Sequence, residues 1–331
     1  MKILITGGSG YVGTRLINNI LSKKPNIKIF NYDISLFGDQ HLPKNKNFTY
    51  IKKDIRDKES FEKAIRENKI NLVLHLACIS NDPTFALKGE ISKKINFDCF
   101  EDLVSISKKN GVQKFIYAST CSVYGVSETP NVTESSKLVP ITDYNKYKAL
   151  CEPILKKYLD KNFTGLIIRP ATVCGYSEKM RFDLTVNILT NYAYHKNFIN
   201  IFGGEQFRPN IHIDDMCRLY EQLIEMDFAH FNGEIYNAGH QNLKIIEIAK
   251  LVKNYIDDKY GRNIDLKITK SDDIRSYQIN SDKIKKDLKF EFKKDVKNAI
   301  SDLCNAFDNK KIIDSLDDKW INLKVLERIK L

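Results

Sequence analysis

Tyr144-Asn145-Lys146-Tyr147-Lys148 places a phenol, Tyr144, and an amine, Lys148, four positions apart. On a helix such side chains share a face. A free tyrosine has a pKa of about 10, too high for an efficient base at neutral pH. A neighbouring ammonium favours the phenolate and lowers that value. Alone the pattern is weak, because with 16 Tyr and 43 Lys (53 basic residues less 10 Arg) chance matches are expected. Tyr147 could equally be core and Lys146 solvent-facing. Weight comes from Ala118-Ser119-Thr120-Cys121-Ser122-Val123-Tyr124-Gly125, which follows an apolar run. A hydroxyl there could hydrogen-bond a substrate and the phenol together.

A second constellation opens the chain. Thr6-Gly7-Gly8-Ser9-Gly10-Tyr11-Val12-Gly13 follows the run Lys2–Ile5 and satisfies G-x-G-x-x-G at Gly8, Gly10 and Gly13, and G-x-x-G-x-x-G at Gly7, Gly10 and Gly13. Such glycines permit a tight turn, let backbone N–H groups approach a pyrophosphate, and let a helix pack closely on a strand. A helix starting near Tyr11-Val12 points the positive end of its dipole at that phosphate. Twenty residues after Gly13 comes Asp33. A carboxylate there accepts both ribose hydroxyls of an adenosine and repels a 2′-phosphate, which selects NAD over NADP. Asp54-Ile55 fits an adenine contact, and Asp54 fits a helix N-cap as well.

The elements that must hold these groups are legible as a rhythm. Lys2–Ile5, Lys28–Asn31, Phe48–Ile51, Leu72–Leu76, Phe115–Ala118 and Gly165–Ile168 are continuously apolar, as parallel strands covered on both faces should be. Helix-length segments Val12–Ser22, Lys58–Asn68, Gly89–Lys109 and Asp143–Asp160 alternate with them. This predicts an α/β doubly wound (Rossmann) parallel sheet over 1–169, whose carboxyl edge is where ligands sit. Helical runs near 182–196, 214–226, 244–256 and 292–308, separated by loops at Cys174–Lys179, Gly203–Asn210 and Asn237–Asn242, predict a smaller lobe over 170–308, with some segments returning to the first. Residues 309–331 read as a helical extension without an assigned role.

Composition narrows the classes. The 331 residues are 42% hydrophobic and 29% charged, ordinary for a globular chain. No stretch approaches the roughly 20 apolar residues that cross a bilayer, and the apolar run at the N-terminus is too short for a signal peptide, so the chain is expected to be cytoplasmic. The net charge of +11 comes from lysine pairs scattered among acids, without the clustered tract of a nucleic-acid reader. Seven widely spaced cysteines fit buried thiols rather than a disulfide framework. No histidine or cysteine spacing supports a metal site.

In the order and spacing of these motifs the chain resembles the extended short-chain dehydrogenases/reductases, specifically the NAD-dependent sugar epimerase/dehydratase group, over roughly residues 1–308. The likeness also takes in His75-Leu76-Ala77-Cys78, Asn96, Arg169–Gly175, Arg208–Asp215 and Arg275. It implies Thr120 as the catalytic hydroxyl, Tyr144 as general base and acid, and Lys148 as the residue that holds the nicotinamide ribose and tunes the phenol. It puts Leu76, Ala77, Asn96 and Thr172 along the cofactor and substrate clefts. It implies that the second lobe binds a nucleotide-diphosphate sugar, with Arg208 and Arg275 on the diphosphate, and with Ser80, Arg181 and Asn187 as further substrate contacts. His212 is expected to brace the loop after Arg208.

Departures from the family pattern bear on the reaction. Dehydratases of the group follow the catalytic Thr with an Asp-Glu pair, and here those positions are Cys121 and Ser122. Galactose-type epimerases carry a Lys where this chain has Ser80, and Asn where it has Thr172. The resemblance therefore implies a 4-epimerase working through a transient 4-keto sugar, with a 4-dehydrogenase as the rival and a non-catalytic nucleotide-binding scaffold as the remote alternative. It also implies a homodimer formed through the helices after Asn96 and around Tyr144. Phe97, Phe100, Leu103 and Val104 suit either that interface or a core.

Overall fold

Six parallel strands, β1 (Lys2–Thr6), β2 (Lys28–Asp33), β3 (Phe48–Lys52), β4 (Leu72–His75), β5 (Lys114–Ala118) and β6 (Thr164–Pro170), stand in the order β3-β2-β1-β4-β5-β6 in the computed structural model. The structure describes residues 1–127, 129–271 and 275–329, so the last two residues of the 309–331 extension lie outside it. Alternate strand residues enter different cores: Ile3, Ile5, Leu72 and Leu74 face one cluster, Leu4, Phe30 and Val73 the other. Burial on both faces explains why the strands read as unbroken apolar runs.

Helices follow the predicted segments with one break. α1 (Tyr11–Lys23), α2 (Lys58–Asn68) and the short α3 (Asp82–Leu87) come first. The expected helix Gly89–Lys109 is divided into α4 (Gly89–Lys93), a π-helical turn (Lys94–Asp98) and α5 (Phe100–Lys109), and α6 (Asp143–Tyr158) carries Tyr144. Phe100, Leu103 and Val104 are fully buried in the core beneath the sheet, so the apolar spacing of α5 serves that core.

The later chain holds more strand than its loops suggested. Thr172–Cys174, Phe207–His212 and Gln241–Lys244 form a three-stranded sheet, and Phe198–Phe202 pairs with Asp265–Thr269. Ile235–Ala238 adds a seventh parallel strand beside β6, and the helix Ile213–Glu225 packs on α1, so both belong to the first unit. Phe207–His212 and Gln241–Lys244 are short and carry Arg208, Pro209, Asn210 and Asn242, which is why no apolar run marked them. The extension is a 3₁₀ turn at Asp318–Trp320 followed by a helix at Asn322–Arg328.

His75 closes β4 in an aromatic pocket of Phe100, Phe115 and Tyr117, with its Nδ1 2.8 Å from Thr6 Oγ1. Burial pushes its pKa from 6.5 down to about 3. Between those values the unfolded chain binds a proton that the folded chain refuses, so stability is full above the upper value and is lost as pH falls through the window. At pH 5 the loss from this residue alone is about 2 kcal/mol. His75→Gln should start less stable at pH 7.5 yet lose less than the wild type between pH 7.5 and 5 in urea unfolding; parallel losses would exclude His75 as the source.

Candidate active site

A cavity of about 540 Å³ opens at the carboxyl edge of the sheet, between the two lobes, within the size range of small-molecule sites. Its floor is the glycine turn. Gly7 has φ +73°, and a Cβ there would fall 2.5 Å from the backbone of Ala77. A Cβ on Gly13 would fall 2.5 Å from Gly8, so only glycine lets α1 approach the turn. Gly10 caps α1 without a side-chain hydrogen bond, and the N–H groups of the first turn are left to a ligand. Tyr11, Val12, Leu76 and Ala77 complete this wall.

At the end of β2, Asp33 accepts from Ser9 N (2.9 Å) and Ser35 N (2.7 Å). Burial pushes its pKa up, and these N–H groups oppose that. Ile55 lines the same end. Asp54 lines it too, but its carboxylate is held by Arg56, with Nη2 at 2.6 Å. The N-cap of α2 is Asp57 and not Asp54. Glycines, a free helix start and a fixed acid suit a dinucleotide's diphosphate and adenosine ribose.

Tyr144 and Lys148 both face the cavity from the first two turns of α6, and Thr120 faces it from the end of β5. Thr120 Oγ1 lies 2.9 Å from Ser122 Oγ, which in turn donates to Asn145. Cys121 is fully buried and points its thiol at the carbonyl of Arg169 (2.8 Å), away from the cavity. The Lys148 ammonium donates to the Ala118 carbonyl (2.7 Å) and lies 5.0 Å from the Tyr117 ring. Burial raises the Tyr144 phenol well above its ordinary pKa, and the cation opposing this is Arg181. The expectation that Lys148 lowers the phenol is thus not met in this structure. The ammonium is turned to the backbone, and Arg181 supplies the local positive charge.

The substrate side gathers Thr172, Arg181, Ser80, Arg208 and Arg275 on the cavity wall. Arg181 donates to Ser80 Oγ (2.8 Å) and pairs with Asp183 (3.0 Å), which also accepts from Asn81 (2.9 Å). Arg208 donates to the carbonyl of Arg275, and Arg275 pairs with Asp82. Asp82, which motif spacing missed, also accepts from Thr142, the N-cap of α6. It therefore links an arginine of the second lobe to the helix bearing Tyr144.

Two expected site residues are not on the cavity. Asn96 sits in the π-helical turn and spends its amide on the backbone of Ile79, accepting at 2.8 Å and donating at 2.9 Å. It positions the loop after β4 rather than touching a ligand. Asn187 is fully buried, accepting from Gly175 N (3.0 Å) and donating to the Arg181 carbonyl (3.0 Å) and Tyr11 (3.2 Å). It braces the loop that presents Arg181. His212 caps the helix Ile213–Glu225 and lies 3.2 Å from Asp302. Among the described residues, His212, Asp214 and Asp302 are the grouping whose spacing could hold a cation; Lys294 bridges both carboxylates (2.8 and 2.9 Å), and Arg15 binds Asp214.

Sheet order, glycine turn and switch-point cavity define a dinucleotide-binding protein of the doubly wound class. A family model described as NAD dependent epimerase/dehydratase family matches residues 3–239. The chain belongs to that family. Human dTDP-D-glucose 4,6-dehydratase is 28% identical over 261 residues, covering 75% of this chain and 72% of that protein. The dTDP-4-dehydro-6-deoxyglucose reductase of Escherichia coli is 31% identical over 254 residues, covering 72% and 76%. Among solved structures, a UDP-glucose 4-epimerase of Thermotoga maritima with UDP-glucose shares the fold at TM-score 0.82 and 24% identity, over 94% of this chain and 99% of that one. A dTDP-glucose 4,6-dehydratase of Streptomyces venezuelae with NAD bound does so at TM-score 0.84 and 19% identity, over 96% and 100%. No helix among the described residues is long and apolar enough to cross a membrane.

Proposed function

We propose that the protein is an NAD-dependent enzyme that modifies a nucleotide-diphosphate sugar, and that its reaction is epimerisation at C4 through a transient 4-keto sugar. The observation that carries this is the meeting of Tyr144, Lys148 and Thr120 with the glycine turn in one cavity that Arg208 and Arg275 also line. Bound NAD supplies a reversible hydride acceptor. Gly7, Gly10, Tyr11, Val12 and Gly13 hold its diphosphate, Asp33 its adenosine ribose, and Lys148 its nicotinamide ribose. Tyr144 takes the proton of the C4 hydroxyl as that carbon becomes a ketone and returns a proton to the oxygen when the carbinol reforms. Thr120 hydrogen-bonds the same oxygen and keeps it on the phenol. Arg208 and Arg275 suit the diphosphate, because guanidinium forks match its oxygens.

Cys121 and Ser122 support epimerisation over dehydration. No carboxylate follows Thr120 to act as the acid and base that expel water across C5–C6. Incubation with a panel of UDP- and dTDP-sugars, followed by mass spectrometry and NMR of the products, tests the reading. An epimer has unchanged mass and a changed C4 configuration. A product lighter by two hydrogens would make the enzyme a 4-dehydrogenase, and one lighter by a water would make it a dehydratase.

A further inference from the structure

The C-terminal segment is outside the residues that match the family, yet it reaches the cavity. Ser315 exchanges hydrogen bonds with Asn191 in the second lobe, donating at 2.7 Å and accepting at 2.9 Å. The Trp320 carbonyl then accepts from Phe182 N (2.9 Å), while the indole lies 5.8 Å from the His41 ring and 5.3 Å from the Lys179 ammonium. Beyond it, the helix Asn322–Arg328 packs on α3 and buries Leu326 completely in the first unit's core. The segment thus straps one lobe to the other, and on its way Ile321, Asn322 and Leu323 form part of the cavity wall.

Asn322 is the informative residue. It is 3% exposed, and its Oδ1 meets no hydrogen-bond donor among the described residues. A buried acceptor without a donor is destabilising. One at a cavity wall is satisfied when a ligand brings the donor. The same cavity is lined by Asp33 at the end of β2 and by Ser35 and Phe37 after it, the end that fits adenosine, and the Lys179 ammonium lies 5.9 Å from the Phe37 ring and 5.3 Å from that of Trp320, two residues before Asn322.

We propose that the C-terminal strap is part of the dinucleotide site, with Asn322 accepting a hydrogen bond from a ribose hydroxyl or amino group of the bound cofactor. The proposal rests on NAD being that cofactor, and it makes the strap a retention device. NAD cannot leave without breaking the Asn322 bond, which suits a reaction that returns the cofactor to its starting state at each turnover.

The test uses the full chain loaded with radiolabelled NAD and chased with unlabelled NAD. Asn322→Leu should release the label about ten-fold faster, the worth of one neutral hydrogen bond. The NAD-stripped variant should unfold at the same temperature as wild type or higher, because the orphaned acceptor is gone. A merely structural asparagine would move both readouts toward instability. Leu326→Ala, which loosens the anchor, should speed both release and tryptic cleavage after Lys319 and Lys324. Deamino-NAD separates the donors: if the amino group is the partner, wild type and Asn322→Leu release it alike, and if a hydroxyl is, the difference persists. Wild type that retains NAD while both variants release it at the wild-type rate would overturn the strap proposal alone. Wild type that holds no NAD would overturn the cofactor assignment as well.

Discussion

Tyr144→Phe should slow turnover about 10²–10⁴-fold, the ordinary worth of a positioned acid/base group, with a much smaller change in substrate affinity. The phenol lies at the cavity on the first turn of α6, against Phe85 (6.2 Å between ring centres), so phenylalanine fills the same space and removes one oxygen. Burial favours the protonated form of that oxygen. Ionisation must then come from charge brought into the cavity, from Arg181 already beside it, and from Lys148 once it exchanges the Ala118 carbonyl for a ligand. Wild-type kcat/KM should therefore rise with pH along a limb that Tyr144→Phe abolishes. A variant turning over at wild-type speed, or keeping that limb, would exclude Tyr144 as the proton carrier.

The second large effect lies under the site. Glu152 and Arg169 are 4% and 3% exposed and form a bidentate pair, Nη2 to Oε2 at 2.6 Å and Nε to Oε1 at 2.9 Å. Glu152 also accepts from Ser119 Oγ (2.6 Å), and Arg169 donates to Tyr124 Oη (2.7 Å). The pair therefore clamps both ends of the turn that presents Thr120. Glu152→Gln leaves a buried guanidinium without its counter-charge, which costs about 3–5 kcal/mol. Thermal unfolding should fall by about 5 °C for a chain of this length. Replacing both residues with Met should restore most of that stability, since a buried pair can be exchanged for apolar packing at little net cost. Activity should stay low in the double variant, because Ser119 is no longer held. If the double variant were as unstable as the single one, the uncompensated charge would not be the cause.

The sheet was readable because a strand buried on both faces must be apolar throughout, as Leu72-Val73-Leu74 is, and because a glycine that must be glycine leaves a mark. Gly7 and Gly13 are such positions. Tyr144 and Lys148 were readable from helical spacing combined with Thr120. Asn96 and Asn187 show where that logic stops. A polar residue near a site reads the same whether its amide faces a ligand or the backbone of Ile79 or Gly175, and only the fold decides. Asp82 was invisible because its partners, Thr142 and Arg275, are 60 and 193 positions away. Asn322 was invisible because no motif surrounds it. The break in the helix after Gly89 escaped because a π-helical turn keeps the composition of the helix it interrupts.

Ile235–Ala238 and the helix Ile213–Glu225 are threaded back into the first unit after the chain has built part of the second. The two lobes are consequently not interchangeable cassettes. An excised 1–169 fragment would expose β6 as a bare apolar edge, open to pairing with its own copies. A chimaera meant to graft a different sugar pocket onto this cofactor half would have to splice within 170–212 and again after Ala238, leaving the returning strand and helix with their native sheet.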